Sequence, residues 1–169
     1  LDIAYSFAPD KMKWSLACTH GTRGAGYACG LWELFHIVSV GVMEWNQLSL
    51  VDLSMAIGVE EAAVTIRDYI EHFFGCEACR MNFMTAFDSC AHDRCHRLDN
   101  NANSMDQWKE LPLWLFETHN SVNIRLLHEK GEREENTPTL QDEINKQWPA
   151  RDNCPQCWRD DGGWVEDHV

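Results

Sequence analysis

The chain has 169 residues, 27 acidic against 14 basic side chains and a formal net charge of −13. That balance excludes a protein that tracks nucleic-acid phosphates, which needs a basic face, and no window reaches the roughly 18 apolar residues of a membrane span. With 44% hydrophobic and 24% charged residues, 1–169 reads as one globular domain, able to bury about 70% of the surface exposed on unfolding.

Residues 1–30 read as an irregular segment rich in Gly, Thr and Ser, and the start at Leu1 rather than Met reads as a processed or excised piece. From Leu31 to about Trp45 apolar residues recur at helical spacing: Leu31, Leu34, Phe35, Val38 and Val42. A second helix is predicted from about Ser54 to Phe74, through Ile57, Val64, Ile66, Ile70 and Phe73, with acidic opening turns that suit its dipole. Gly75 punctuates, and a third helix starts at the Cys76 pair and runs through Phe83 and Phe87. Asp99 to Ser104 is a polar, Asn-rich loop. Ser104 with Gln107 has the spacing of a capping box that opens a fourth helix to about Lys130, with Pro112 as its kink or its true start. Residues 131–139 are a charged loop. The C-terminal segment 146–169 is too broken for long elements, and Gly162 to Glu166 has the look of a helix start. No alternating β-branched run and no Asn-Gly hairpin occurs, so the fold class is all-α, four or five helices without a sheet.

Eight cysteines fall in sequence-local couples: Cys18 and Cys29, Cys76 and Cys79, Cys90 and Cys95, Cys154 and Cys157. Such couples fit short-loop disulfides in an oxidising compartment. Zinc competes, with Cys76, Cys79, Cys90, Cys95 and His96 as a ligand set, and a redox dithiol is the third choice. A Rossmann loop fails because Cys29 stands at the third glycine position of Gly24-Ala-Gly26 and no strand precedes it. A P-loop and a GxSxG elbow are both missing.

The flanks of the cysteines discriminate. In Phe73-Phe-Gly-Cys76-Glu-Ala-Cys79 a CxxC opens a helix, where unpaired N–H groups favour a thiolate and make the pair good at thiol–disulfide exchange. Trp32 and His36 share one helix face. Phe116, His119, Asn120 and Asn123 line another, beside Leu111, Leu115, Val122 and Leu126. Buried, those polar groups need partners, and a planar heteroaromatic ligand with polar edges would supply them. Taken one at a time, these histidines and tryptophans are ordinary core residues.

The ordered set Cys29-Gly-Leu-Trp32-Glu-Leu-Phe-His36, Phe73 to Cys79, Leu113-Trp-Leu-Phe116-Glu-Thr-His119-Asn120-Ser-Val122-Asn123 to Leu126, Trp148-Pro149 and Cys154-Pro-Gln-Cys157 resembles the flavin-binding domain of Erv/ALR sulfhydryl oxidases, above all the C-terminal module of quiescin sulfhydryl oxidases. The resemblance runs from about Trp14 to Trp164. It implies a helical bundle holding FAD, with dithiols oxidised to disulfides and electrons passed through the flavin to O₂, giving H₂O₂. In that scheme Cys76 is the interchange thiol and Cys79 the thiol nearest the flavin. Arg23, Trp32, His36, Asn82, Phe116, His119, Asn120, Val122, Asn123, Lys146 and Trp148 form the cofactor set. Cys18–Cys29 is a structural bridge, Cys154 and Cys157 a second CxxC, and Cys90 with Cys95, foreign to the family pattern, an added disulfide.

The chain departs from that pattern at Asn82, where a His is common, at Arg23, displaced by two residues, and at Asn145, with Lys146 beside it. The resemblance further implies a thioredoxin-like shuttle or reduced protein upstream, a secretory or extracellular location, and no metal. Erv-type domains commonly form homodimers while quiescin oxidases use an internal pseudo-domain, so the oligomer stays open. The competing function is a zinc- or disulfide-stapled helical interaction module without catalysis, colourless and metal-bound.

Overall fold

The computed structural model describes residues 26–48, 52–161 and 163–165. The chain divides into two compact units, Leu1–Leu34 and Phe35–Val169. Four helices of twelve residues or more dominate the described residues: α1 (Tyr27–Leu48), α2 (Val59–Phe73), α3 (Glu77–Asp88) and α6 (Glu110–Arg133). Single-turn helices α4 (Arg94–Arg97) and α5 (Met105–Trp108) lie between α3 and α6, and α7 (Leu140–Lys146) follows. The expected all-α class holds, and the one β feature among the described residues is an isolated bridge between Trp158 and Trp164.

α1 begins in the first unit and continues into the second. Its stretch in the second unit buries Phe35, Ser39, Val42 and Asn46, a spacing of four, three and four that makes one stripe. The sequence pattern put Leu34 and Val38 in the core, but both are exposed. The true stripe includes two polar residues that escape an apolar count because each is satisfied. Ser39 donates to the His36 carbonyl. The Asn46 side chain donates to the Ile57 carbonyl at 2.8 Å and accepts the Ile57 N–H at 2.7 Å.

α2 starts at Val59, later than Ser54, because residues 53–55 form a separate 3-10 turn. It buries Val59, Ala62, Ala63, Ile66 and Ile70, while Ile57, Val64 and Phe73 stay exposed. Its N-cap is Gly58, which has no side chain to offer. Asn100, from the polar loop, takes that role: its Oδ1 accepts the Glu61 N–H at 2.9 Å and its Nδ2 donates to Glu60. A Cβ on Gly58 would lie 2.3 Å from Asn100 Oδ1, so only glycine admits this cap.

Ser104 is the N-cap of α5, but the expected box does not form. Gln107 Oε1 instead accepts from the Ser104 hydroxyl and the Asn103 N–H. The helix breaks at Lys109 and restarts at Glu110, which places Pro112 in the first turn, where a missing N–H costs nothing. The reciprocal capping box sits at Thr139 and Asp142, opening α7. Along α6, Leu111, Leu113, Trp114, Leu115 and Phe116 are buried, whereas Leu126 is exposed and Val122 half-buried. The apolar stripe predicted over 111–126 therefore holds only in its first half. Trp108 and Trp114 form the deepest part of the core, and each indole N–H has a carbonyl partner, Ala102 and Ala91.

The described part of the tail, residues 163–165, is not helical. Trp158 and Trp164 pair, the Arg159 N–H donates to the Gly163 carbonyl and the Val165 N–H to the Cys157 carbonyl. This turn packs Cys154, Cys157, Trp158 and Trp164 around Phe116 of α6.

Candidate functional site

The cysteines settle into pairs. Disulfides join Cys76 to Cys79, Cys90 to Cys95 and Cys154 to Cys157, and Cys29 is also disulfide-bonded. Its expected partner Cys18 lies outside the described residues, as does Arg23. The zinc arrangement fails for the set Cys76, Cys79, Cys90, Cys95 and His96. The first pair opens α3 and the second follows its end, about 18 Å apart for a twelve-residue helix.

Cys76 is the N-cap of α3, and its Sγ accepts the Cys79 N–H at 3.3 Å. A cysteine thus occupies a position normally held by Ser, Thr or Asp, and for the same reason: the opening N–H groups of a helix lack partners. A thiolate formed there is stabilised by that N–H and by the positive end of the dipole. Cys76 is exposed and Cys79 half-buried, so an incoming thiol reaches the first sulfur more readily.

The second locus brings α1, α6 and the segment after α7 together within the second unit. His36 Nε2 and His119 Nδ1 share a hydrogen bond of 2.9 Å. Trp148 stacks on both imidazoles, 4.5 Å from His36 and 5.4 Å from His119, and Phe116 lies 6.2 Å from the same indole. Asn120 fixes Trp148 from behind: its amide donates to the Trp148 carbonyl at 2.8 Å and accepts the Trp148 N–H at 2.7 Å. Burial lowers His36 to about 4 and His119 to about 3, the latter helped by repulsion from His36. Both rings are therefore neutral at pH 7, and the bond between them carries one proton.

Five of the expected residues, His36, Phe116, His119, Asn120 and Trp148, meet in this cluster. Val122 and Asn123 lie half-buried on the next turn of α6, Lys146 is exposed at the end of α7, and Asn82 is exposed on α3. Trp32 sits half-buried on α1 in the first unit.

Sequence reasoning missed three polar residues that neighbour the cluster along the chain. Thr118 Oγ1, Gln147 Oε1 and the Nε and Nη2 atoms of Arg151 are the buried side-chain polar atoms without a hydrogen-bond partner among the described residues. Thr118 precedes His119, Gln147 precedes Trp148, and Arg151 stands 5.6 Å over the Trp158 ring. Unsatisfied buried groups are costly and rare, and these four atoms, on residues next to His119 and Trp148 in sequence or over the Trp158 ring, are suited to a polar ligand. A guanidinium suits a diphosphate, and a hydroxyl and an amide oxygen suit sugar and base edges. This donor set fits a dinucleotide. Only the adjacency of Arg151 to Trp148-Pro149 could have flagged it in sequence.

The two chemical features of this helical scaffold are a disulfide at a helix N-terminus and a His-Trp-His stack whose indole, Trp148, remains exposed on one side. The sequence model of the Erv1 / Alr family matches residues 29–149, and the chain belongs to that family. It is 36% identical over 152 residues to sulfhydryl oxidase 1 of Gallus gallus, covering 85% of this chain and 17% of that protein. It is 32% identical over 175 residues to sulfhydryl oxidase 2 of Homo sapiens, covering 99% and 22%. Sulfhydryl oxidase 1 of Oryza sativa subsp. japonica is 31% identical over 150 residues, covering 85% and 24%. The chain thus spans about a fifth of the length of these relatives.

Proposed function

We propose that this chain is an FAD-dependent thiol oxidase module that converts dithiols to disulfides at Cys76–Cys79. The observation that carries the reading is the exposed Cys76 sulfur at the N-terminus of α3, bonded to Cys79 and accepting its N–H. A substrate thiolate attacks Cys76 Sγ, forming a mixed disulfide and releasing Cys79 as thiolate. The second substrate thiol then attacks its own sulfur in that mixed disulfide, and Cys76 leaves as a thiolate held by the helix N–H. The two electrons now reside on the Cys76 and Cys79 sulfurs. Held by the residues below, FAD would supply the chemistry that carries such an electron pair on to O₂, giving H₂O₂.

The remaining residues bind and orient. Neutral His36 and His119, with Trp148 and Phe116, offer flat faces and a proton donor to a planar ring system, and Asn120 keeps Trp148 in register. Arg151, Thr118 and Gln147 supply donors and an acceptor to the polar part of a dinucleotide. Trp32, Val122, Asn123, Asn82, Lys146 and Arg23 complete the proposed cofactor set, and residues 1–169 act as one Erv/ALR-type domain. The substrates are soluble dithiols or a thioredoxin-like shuttle in a longer protein. The described disulfides favour an oxidising compartment of the secretory pathway or the exterior, and no described helix is long and apolar enough to cross a membrane.

The test is the cofactor content. Purified protein should be yellow and release one equivalent of FAD on heating. A colourless protein that fails to take up FAD would overturn the proposal.

A further inference from the structure

We propose that Cys90–Cys95 is a second thiol–disulfide exchange site, open to small soluble thiols. The proposal stands independently of the flavin reading. Cys95 is exposed and Cys90 half-buried. Between them Arg94 is buried and rigidly held: its Nε donates to the Phe87 carbonyl at 3.1 Å, its guanidinium lies 3.9 Å over the Phe87 ring, and Nη1 stands 4.0 Å from Glu60. The remaining nitrogen, Nη2, donates to Cys95 Sγ at 3.2 Å. A disulfide sulfur is a weak acceptor, whereas a thiolate is a strong one. A fixed buried cation against one sulfur therefore favours the state in which that sulfur is charged, which makes Cys95 the better leaving group.

The backbone pushes the same way. Cys90, His92 and Asp93 have φ of 60°, 55° and 58°, three non-glycine residues in the left-handed region within four positions. Two hydrogen bonds share with the disulfide the work of holding the loop there. Trp114 Nε1 donates to the Ala91 carbonyl, and Arg97 Nη1 donates to the His92 carbonyl. Neither bond is to Asp93, so opening the disulfide removes the constraint that the two hydrogen bonds do not supply and lets Asp93 relax, which makes the closed form easier to reduce than an unstrained one.

The step balances with one thiol couple. A glutathione thiolate attacks Cys90 Sγ, the less exposed sulfur but the one whose attack expels the better leaving group; the Cys90–Cys95 bond breaks and Cys95 leaves as a thiolate against Arg94. A second glutathione thiolate attacks the glutathione sulfur of the mixed disulfide, forming oxidised glutathione and releasing the Cys90 thiolate. Two thiols are oxidised and one disulfide is reduced, and oxidised glutathione reverses both steps. Because α3 separates this pair from Cys76–Cys79 by about 18 Å, the two sites do not exchange directly and a diffusible thiol must link them.

The experiment equilibrates the native chain in glutathione buffers of graded ratio, alkylates it, and reads each cysteine pair by mass spectrometry. Cys154–Cys157, whose second sulfur is buried, serves as the internal reference. Cys90–Cys95 should open at a lower reduced-to-oxidised ratio than the reference. Arg94→Leu should require about tenfold more reducing buffer for half-opening, the loss of one charge-assisted hydrogen bond. Asp93→Gly, an exposed change that leaves Arg94 in place, should require about fivefold more because glycine accepts the left-handed φ. The proposal is overturned if Cys90–Cys95 opens only with the reference pair, or if Asp93→Gly leaves the midpoint unchanged.

Discussion

Lowering the pH from 7 to 5 should destabilise the fold through the His36–His119 pair. Both residues are held neutral, at about 4 and about 3 against an ordinary 6.5, first by burial and, for His119, also by its neighbour. A folded-state value below the unfolded one means that the unfolded chain binds more protons in between. The stability these residues confer is therefore full above pH 6.5 and drains as pH falls toward 4 and 3. Between pH 7 and 5 each His protonates in the unfolded chain and stays neutral in the folded one, which costs about 2 kcal/mol each and about 4 kcal/mol together. Other groups titrate in the same window, so the contribution is isolated by difference. Urea unfolding of the native chain and of His36→Gln/His119→Gln is compared at both pH values. The stability of the native chain relative to the variant should fall by about 4 kcal/mol on acidification. A relative stability that does not move with pH would refute the assignment of two buried neutral imidazoles.

Asn120→Ala removes both hydrogen bonds to the Trp148 backbone and should cost about 2–3 kcal/mol in chemical denaturation, together with weaker flavin retention. Asn46→Ala leaves the Ile57 N–H and carbonyl without their partner beneath α1. Its cost should be similar, about 2–3 kcal/mol, but with bound flavin unaffected once the protein is folded. Arg151→Ala should lower FAD affinity at least about tenfold by equilibrium dialysis, the loss of one charge-assisted contact, and should change the stability of flavin-free protein by no more than about 1 kcal/mol, because the half-buried guanidinium has the Trp158 ring as its one partner among the described residues.

The fold was legible where structure depends on local pattern. The third helix begins at the Cys76 pair as read, and the loop after Asp99 and the break near Pro112 both fall where turn chemistry put them. What escaped was long-range satisfaction. Asn46 sits in the core because Ile57, eleven residues away, answers both of its polar atoms, and Asn100 caps a helix thirty-nine residues upstream of it. Neither pairing leaves a trace in the hydrophobic pattern, because each joins a side-chain amide to the backbone of another element. Arg94 is similar: a charge next to a cysteine reads as surface until the Phe87 ring and carbonyl appear beneath it. In the candidate site, the motif residues His36, His119, Asn120 and Trp148 meet in one cluster, whereas Thr118, Gln147 and Arg151 are visible only as atoms lacking partners.

The central claim is that electrons enter at Cys76–Cys79 and leave through a bound flavin. Its most direct test is the visible spectrum of the purified protein under nitrogen, before and after one equivalent of a small dithiol, followed by readmission of air. The account predicts a two-band oxidised flavin spectrum that bleaches with dithiol and returns in air with one H₂O₂ per disulfide formed, and a Cys79→Ser variant that binds flavin but does not bleach. A Cys79→Ser protein that bleaches as fast as the native chain would contradict it.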